Sequence, residues 1–246
     1  LDKQGNITEY KFAKTVIRSR VKGVYSEINS LLAGSDDAEL KEKYAEVSGQ
    51  LPIIKELADI LYKNKKNRGC PELETSESKL IINDEDICVG VERRTRGRSE
   101  EIIEDFMLVA NECAARFGMD NNLPFVYRIH EEPSDEKLES LREALVKLNV
   151  QYKLGEKACP GDMSEILKAA KGTDIDLIMN NIVLRSMSKA RYSTEPVGHF
   201  GLALEDYAHF TSPIRRYPDL TIHRIMSAFL SGSSACLLYT SPSPRD

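Results

Sequence analysis

Apolar residues recur every three to four positions over most of this chain, a spacing that predicts amphipathic helices. Residues 21–33 read as one helix, closed by Gly34. Asp36 and Asp37 open a second helical stretch that runs to about Asn64 and is broken by Pro52. The basic run from Lys63 to Arg68 suits a helix end, where cations complement the dipole. The strongest amphipathic pattern runs from Ser99, a candidate N-cap, to Phe117, with Gly118 as its stop. Ser134 caps a further helix to about Leu148, and residues 161–170 and 174–189 give two more. Residues 214–230 begin as a turn and become helical after Pro218, which fits a first helical turn.

Strand signals are fewer. Residues 5–12 alternate and read as the end of a hairpin strand. Residues 79–83 and 87–92 flank Asp84-Glu85-Asp86 as a second hairpin, and 124–130 reads as a strand. Residues 190–204 are extended, with Gly198 and Gly201 marking tight backbone. The expected fold class is α+β, a mixed sheet wrapped by helices. One domain is expected over residues 1–230. The Ser- and Pro-rich tail, 231–246, is expected to be disordered or non-native.

Composition narrows the function classes. No apolar run is long enough to span a bilayer, and no signal-peptide pattern is present. The first residue is Leu1 rather than Met, so a fragment is expected. Cys70, Cys88, Cys113, Cys159 and Cys236 form neither a zinc knuckle nor a CxxC pair, which fits structural thiols in a reducing cytoplasm. There is no P-loop, HExxH or GxSxG. The acids at 84–86 read as a surface turn rather than a metal site.

A net charge of −5 does not by itself suggest nucleic acid. Charge distribution does: between Tyr207 and Arg224 stand three arginines and two histidines against one aspartate. Thr211 and Ser212 offer hydroxyls, and Arg215 and Arg216 offer forked donors that match phosphate oxygens. Tyr207, Phe210 and Tyr217 interleave aromatic faces with these cations, an arrangement suited to unpaired bases. On composition alone, a surface loop whose arginines pair with carboxylates and whose aromatics are core explains the run equally well.

The run from His199 to His223 resembles the signature of the RNB catalytic domain of the ribonuclease II/ribonuclease R family. It reads His-Phe-Gly-Leu, four residues, Tyr-Ala-His-Phe-Thr-Ser-Pro-Ile-Arg-Arg-Tyr-Pro-Asp, three residues, His. The form from His209 to Asp219 is closer to ribonuclease R. Ile102 to Asn111 resembles the family's acidic helix, Phe125 to His130 the strand after it, and Leu184 to Met187 the helix before the signature.

The resemblance implies Mg²⁺-dependent hydrolysis of single-stranded RNA from its 3′ end, releasing 5′-monophosphates, by a cytoplasmic monomer. It implies that Arg215 contacts the scissile phosphate, that Glu104 lies near the terminal ribose, and that Tyr25 is an active-site tyrosine. Arg216, His199, Tyr207, Phe210, Thr211, Ser212 and Tyr217 are the expected RNA-binding residues, while Asp219 and His223 are read as structural. Leu73 falls where some relatives place a base-stacking phenylalanine, and leucine has no π face. The family's magnesium ligands are an aspartate cluster for which this chain has no counterpart between Leu1 and Lys22. The expectation is therefore an exoribonuclease fragment that is inactive alone. The competing reading is a catalytically dead RNA-binding regulator of the same fold.

Overall fold

The computed structural model describes residues 1–73, 77–94 and 96–232. The expected tail thus lies, beyond Gly232, outside the described residues. The α+β class holds, with helices dominant.

Helix α1 spans Tyr25–Leu32 and ends at Gly34, whose φ of +85° a side chain would strain. Asp37 then caps α2, Ala38–Lys43, by accepting from the Glu39 and Leu40 amides. Pro52 does not break a long helix. It sits in the first turn of α3, Leu51–Asn67, where its missing N–H has no helical partner to lose. The hairpin expected around residues 84–86 is present as β1, Glu77–Ile82, against β2, Cys88–Arg94. Its turn is held by the Asn83 carboxamide oxygen, which accepts from the Glu85 and Ile87 amides.

Helix α4, Arg98–Asp120, is the longest element. Its start is capped by Glu100, which reaches back to the Gly97 amide, so Ser99 lies inside the helix rather than at its cap. Gly118 does not end α4 either. It lies against the Phe125 ring, which leaves no room for a side chain. Strand β3, Tyr127–Ile129, follows, then α5, Asp135–Lys147, α6, Pro160–Ala170, and α7, Asp176–Ser186. Strand β4, Arg191–Ser193, pairs antiparallel with β3, and α8 covers Tyr217–Leu230 with Pro218 in its first turn.

The sheets differ from the expected mixed sheet. Among the described residues they are two antiparallel pairs, with one parallel bridge, His130 to His199, beside β3. Residues 5–12 carry no strand ladder: their backbone runs past α3 and α4, and Phe12 packs edge-on to Phe117 and Phe210. An alternating pattern makes a strand only where a neighbouring backbone supplies partners.

Two apolar clusters form the core. One gathers Leu138, Leu141, Met163, Ile166, Met179 and Val183 from α5, α6 and α7. The other gathers Ala115, Phe125, Tyr127, Ile129, Ile222 and Ile225 from α4, β3 and α8. The segment from Phe200 to Ala208 runs from the first cluster to the second, because Phe200 belongs to one and Ala208 to the other. Burial at both ends fixes where the arginine-bearing loop emerges.

Candidate nucleic-acid interface

The edge of β3 receives the segment first. Arg128 N–H donates to the Tyr207 carbonyl at 3.0 Å, and His130 N–H to the Gly198 carbonyl at 3.0 Å. Gly198 has φ +86°, and a Cβ on Gly201 would collide with the His130 ring, so both glycines are needed for this close approach. The Gly201 amide donates to His130 Nδ1 at 3.0 Å, which leaves Nε2 as the protonated nitrogen of the neutral ring.

Past Ala208 the backbone is gripped by side chains. Asn111 Oδ1, from α4, accepts from the Phe210 amide at 2.9 Å and the Thr211 amide at 3.2 Å. Asp219 Oδ1, from α8, accepts from the Ser212 amide at 2.8 Å. Three successive N–H groups are thereby consumed internally. Arg215 and Arg216 amides then turn back onto the Ser212 carbonyl. His223 Nε2 donates to the Phe210 carbonyl at 2.8 Å while its ring stacks on Phe210, centroids 4.2 Å apart and planes 4° apart.

The expected RNA-contacting side chains separate into two groups. Tyr207, 8% exposed, is packed against His199 and His209, and its hydroxyl accepts from Asn111 Nδ2. Phe210 is covered by His223 and Phe12, and half-buried His199 stands against His130 at 5.0 Å. These side chains pack against one another and against Phe12 and His223, and so hold the loop. Arg216 is also turned inward, its Nε and Nη2 donating to Asp219. The second group faces outward. Tyr217 is 67% exposed, and the exposed Arg215 side chain makes no hydrogen bond or ion pair among the described residues. Thr211 and Ser212 are half-buried beside it, and Thr211 Oγ1 is enclosed without a hydrogen-bond partner.

Glu104 is exposed on α4, with Lys65 Nζ at 3.9 Å and Arg96 at 3.5 Å. Next to it Asp105 is buried, and that burial raises its carboxyl above the usual range although Lys65 lies 3.8 Å away. Tyr25 opens α1, its ring exposed and its carbonyl accepting from Ser99 Oγ at 3.0 Å. Helix α4 thus strings these groups along its length. Tyr25 attaches at Ser99 and the loop at Asn111, twelve residues or about 18 Å along the axis. They are not gathered in one described cavity. A cleft of about 240 Å³ beside α4 is instead lined by Asn64, Lys65, Arg68, Asp105, Glu112 and Arg116. Leu73 packs against the α5–α7 core and is not displayed as a stacking face.

No cluster of three or more carboxylate, histidine or cysteine side chains able to hold a metal occurs among the described residues. Glu104 and Asp105 face Lys65 instead, so the described residues do not fit a complete magnesium site. Two contributors lay outside the expected site. Asn111 gave no signal beyond its place in the acidic helix. Arg128, stacked 4.8 Å over the Tyr192 ring beside His209, adds a cation that alternation alone does not reveal.

Residues 1–232 match the RNB domain family. The chain belongs to the RNB domain family. This RNB domain is 38% identical over 228 residues to ribonuclease R of Escherichia coli strain K12, covering 93% of the chain and 28% of that protein. It is 37% identical over 235 residues to ribonuclease R 1 of Lactococcus lactis, covering 94% of the chain and 28% of that protein. It also resembles the structure of Mycoplasma genitalium RNase R in complex with ribose-methylated single-stranded RNA. There the TM-score is 0.76 with 30% identity, covering 84% of this chain and 32% of that one. The RNB domain described here thus spans under a third of the length of these relatives. No described helix is long and apolar enough to cross a membrane.

Proposed function

We propose that this RNB domain is part of a 3′-to-5′ exoribonuclease that hydrolyses single-stranded RNA to 5′-mononucleotides. The observation that carries the reading is the contrast between two adjacent arginines. Arg216 is locked to Asp219, while Arg215 stands exposed on the same rigid loop with its guanidinium uncommitted. An uncommitted guanidinium on a fixed backbone is preorganised for a phosphate. In this reading Arg215 stabilises charge on the scissile phosphoryl oxygens, Glu104 lies at the terminal ribose, and Tyr25 lines the strand's path. Tyr217, Thr211 and Ser212 are the remaining contacts to RNA. Mg²⁺, when bound in a complete enzyme, would supply activation of the nucleophile, and the described residues of this chain do not complete a site for it. The chain alone is therefore inactive.

The test is Arg215→Ala in the full-length ribonuclease that carries this domain. Turnover on a single-stranded RNA should fall by about 10³-fold or more, in line with arginines on transferring phosphates, while RNA affinity changes little. Wild-type turnover in the variant, or Mg²⁺-dependent nucleotide release by the isolated 246-residue chain, overturns the assignment.

A further inference from the structure

Asn111 is 3% exposed and lies in the middle of α4, about a hundred residues in sequence from everything it binds. Its Oδ1 accepts from two successive amides, Phe210 and Thr211. Its Nδ2 donates to the Tyr207 hydroxyl at 3.2 Å. One planar group therefore holds the loop on both sides of Ala208-His209. Few side chains can do this: an acceptor with two lone pairs and a donor must share one short, flat head. Leucine has the shape without the polarity, and serine is too short to span two amides.

The phase of α4 gives the clamp its consequence. Asn111 and Glu104 are seven residues apart, almost two full turns, so they share a face about 10.5 Å apart along the axis. From Asn111 the hydrogen bonds continue outward. Thr211 is held by Asn111, Ser212 by Asp219, and the Ser212 carbonyl takes the Arg215 and Arg216 amides. The backbone beneath Arg215 is thus referenced to the helix that presents Glu104.

We propose that Asn111 is a positioning residue: its carboxamide sets the Arg215 loop against the Glu104 face of α4, fixing the distance between the phosphate contact and the ribose contact. This rests on the exoribonuclease reading above. Asn111 itself touches no RNA.

Two measurements test it. In the 246-residue chain, amide hydrogen exchange is followed at residues 210 and 211 for the wild type, Asn111→Leu and Asn111→Asp. Exchange there should accelerate in N111L and stay slow in N111D, whose carboxylate still accepts from both amides. The amides of β3 should be unaffected in both. In the full-length ribonuclease, N111L should lower kcat by about 10²-fold, the cost of a misplacement near 1 Å, with little change in KM. N111D should recover most of that loss. N111S repeats both arms if N111L does not fold. Unchanged exchange at 210 and 211 removes the clamp. Faster exchange with wild-type kcat, or with equal losses in kcat and affinity, reduces Asn111 to a fold-holding residue. A wild-type enzyme that releases no nucleotides defeats the exoribonuclease reading instead, and the exchange arm still decides the clamp.

Discussion

Asp219 has none of its surface exposed and accepts a forked pair of hydrogen bonds from Arg216, Nε to Oδ2 at 2.9 Å and Nη2 to Oδ1 at 2.8 Å. The same carboxylate takes the Ser212 amide. A buried carboxylate is tolerable only with such company, and removing one partner strands the other. Asp219→Ala should therefore cost about 3–5 kcal/mol of folding stability. Urea unfolding of the 246-residue chain checks this, and a loss under about 1 kcal/mol, the size of an ordinary surface effect, means the pair is not structural.

The two neighbouring arginines should respond differently to lysine. Arg216→Lys loses the fork that matches Asp219 and should destabilise the fold measurably. Arg215→Lys touches no partner and should stay within about 0.5 kcal/mol of wild type. Thermal unfolding of both variants side by side gives the answer. Equal shifts would erase the distinction on which the functional reading stands.

Acid should weaken the fold through its histidines. Burial, with His130 and Arg128 nearby, pushes the His199 imidazole down to about 3, and burial with Arg216 pushes His209 down to about 4. In the unfolded chain both titrate near 6.5, so below that pH the unfolded state binds more protons than the folded one. The stabilisation is complete above about pH 6.5 and is lost as pH falls toward 4 and then 3. Each ring contributes at most about 1.4 kcal/mol per pH unit in that window. Denaturation at pH 7, 5.5 and 4.5 should give a steadily falling midpoint, with a shallower fall in His199→Gln. The same slope in both proteins rules His199 out as a source.

Gly118→Ala tests the contact between α4 and the strand that follows. Alanine favours a helix over glycine by about 1 kcal/mol. Here the added methyl meets the Phe125 ring, which is 1% exposed and has nowhere to go. Overpacking of this kind costs about 1–3 kcal/mol, so the net change should be destabilising. A raised melting temperature contradicts the packing.

Thiol chemistry should sort the cysteines by burial. Cys70 and Cys113 are buried, and burial raises both thiols, while Cys88 and Cys159 are exposed. Alkylation of the native chain, read by mass spectrometry, should label Cys88 and Cys159 ahead of Cys70 and Cys113. Fast labelling of Cys70 would show that the contact between its thiol and the Gly201 carbonyl opens readily.

The sequence by itself determined the helices, their order and the signature. Apolar spacing places α5, α6, α7 and α8 within a few residues of where they lie, and the run from His199 to His223 carries the family in its covalent order. Those features are local: a helix closes its hydrogen bonds within its own segment, and a motif is read without folding. What only the tertiary structure decided is which member of each chemical pair is spent inside. Arg215 and Arg216 are adjacent and alike in sequence, yet one meets Asp219 and the other meets solvent. Tyr207 and Phe210 differ from Tyr217 only in which surfaces cover them. Asn111 became visible only when α4 came to lie beside a loop a hundred residues away. Long-range burial assigns those partners, and no short-range spacing encodes it.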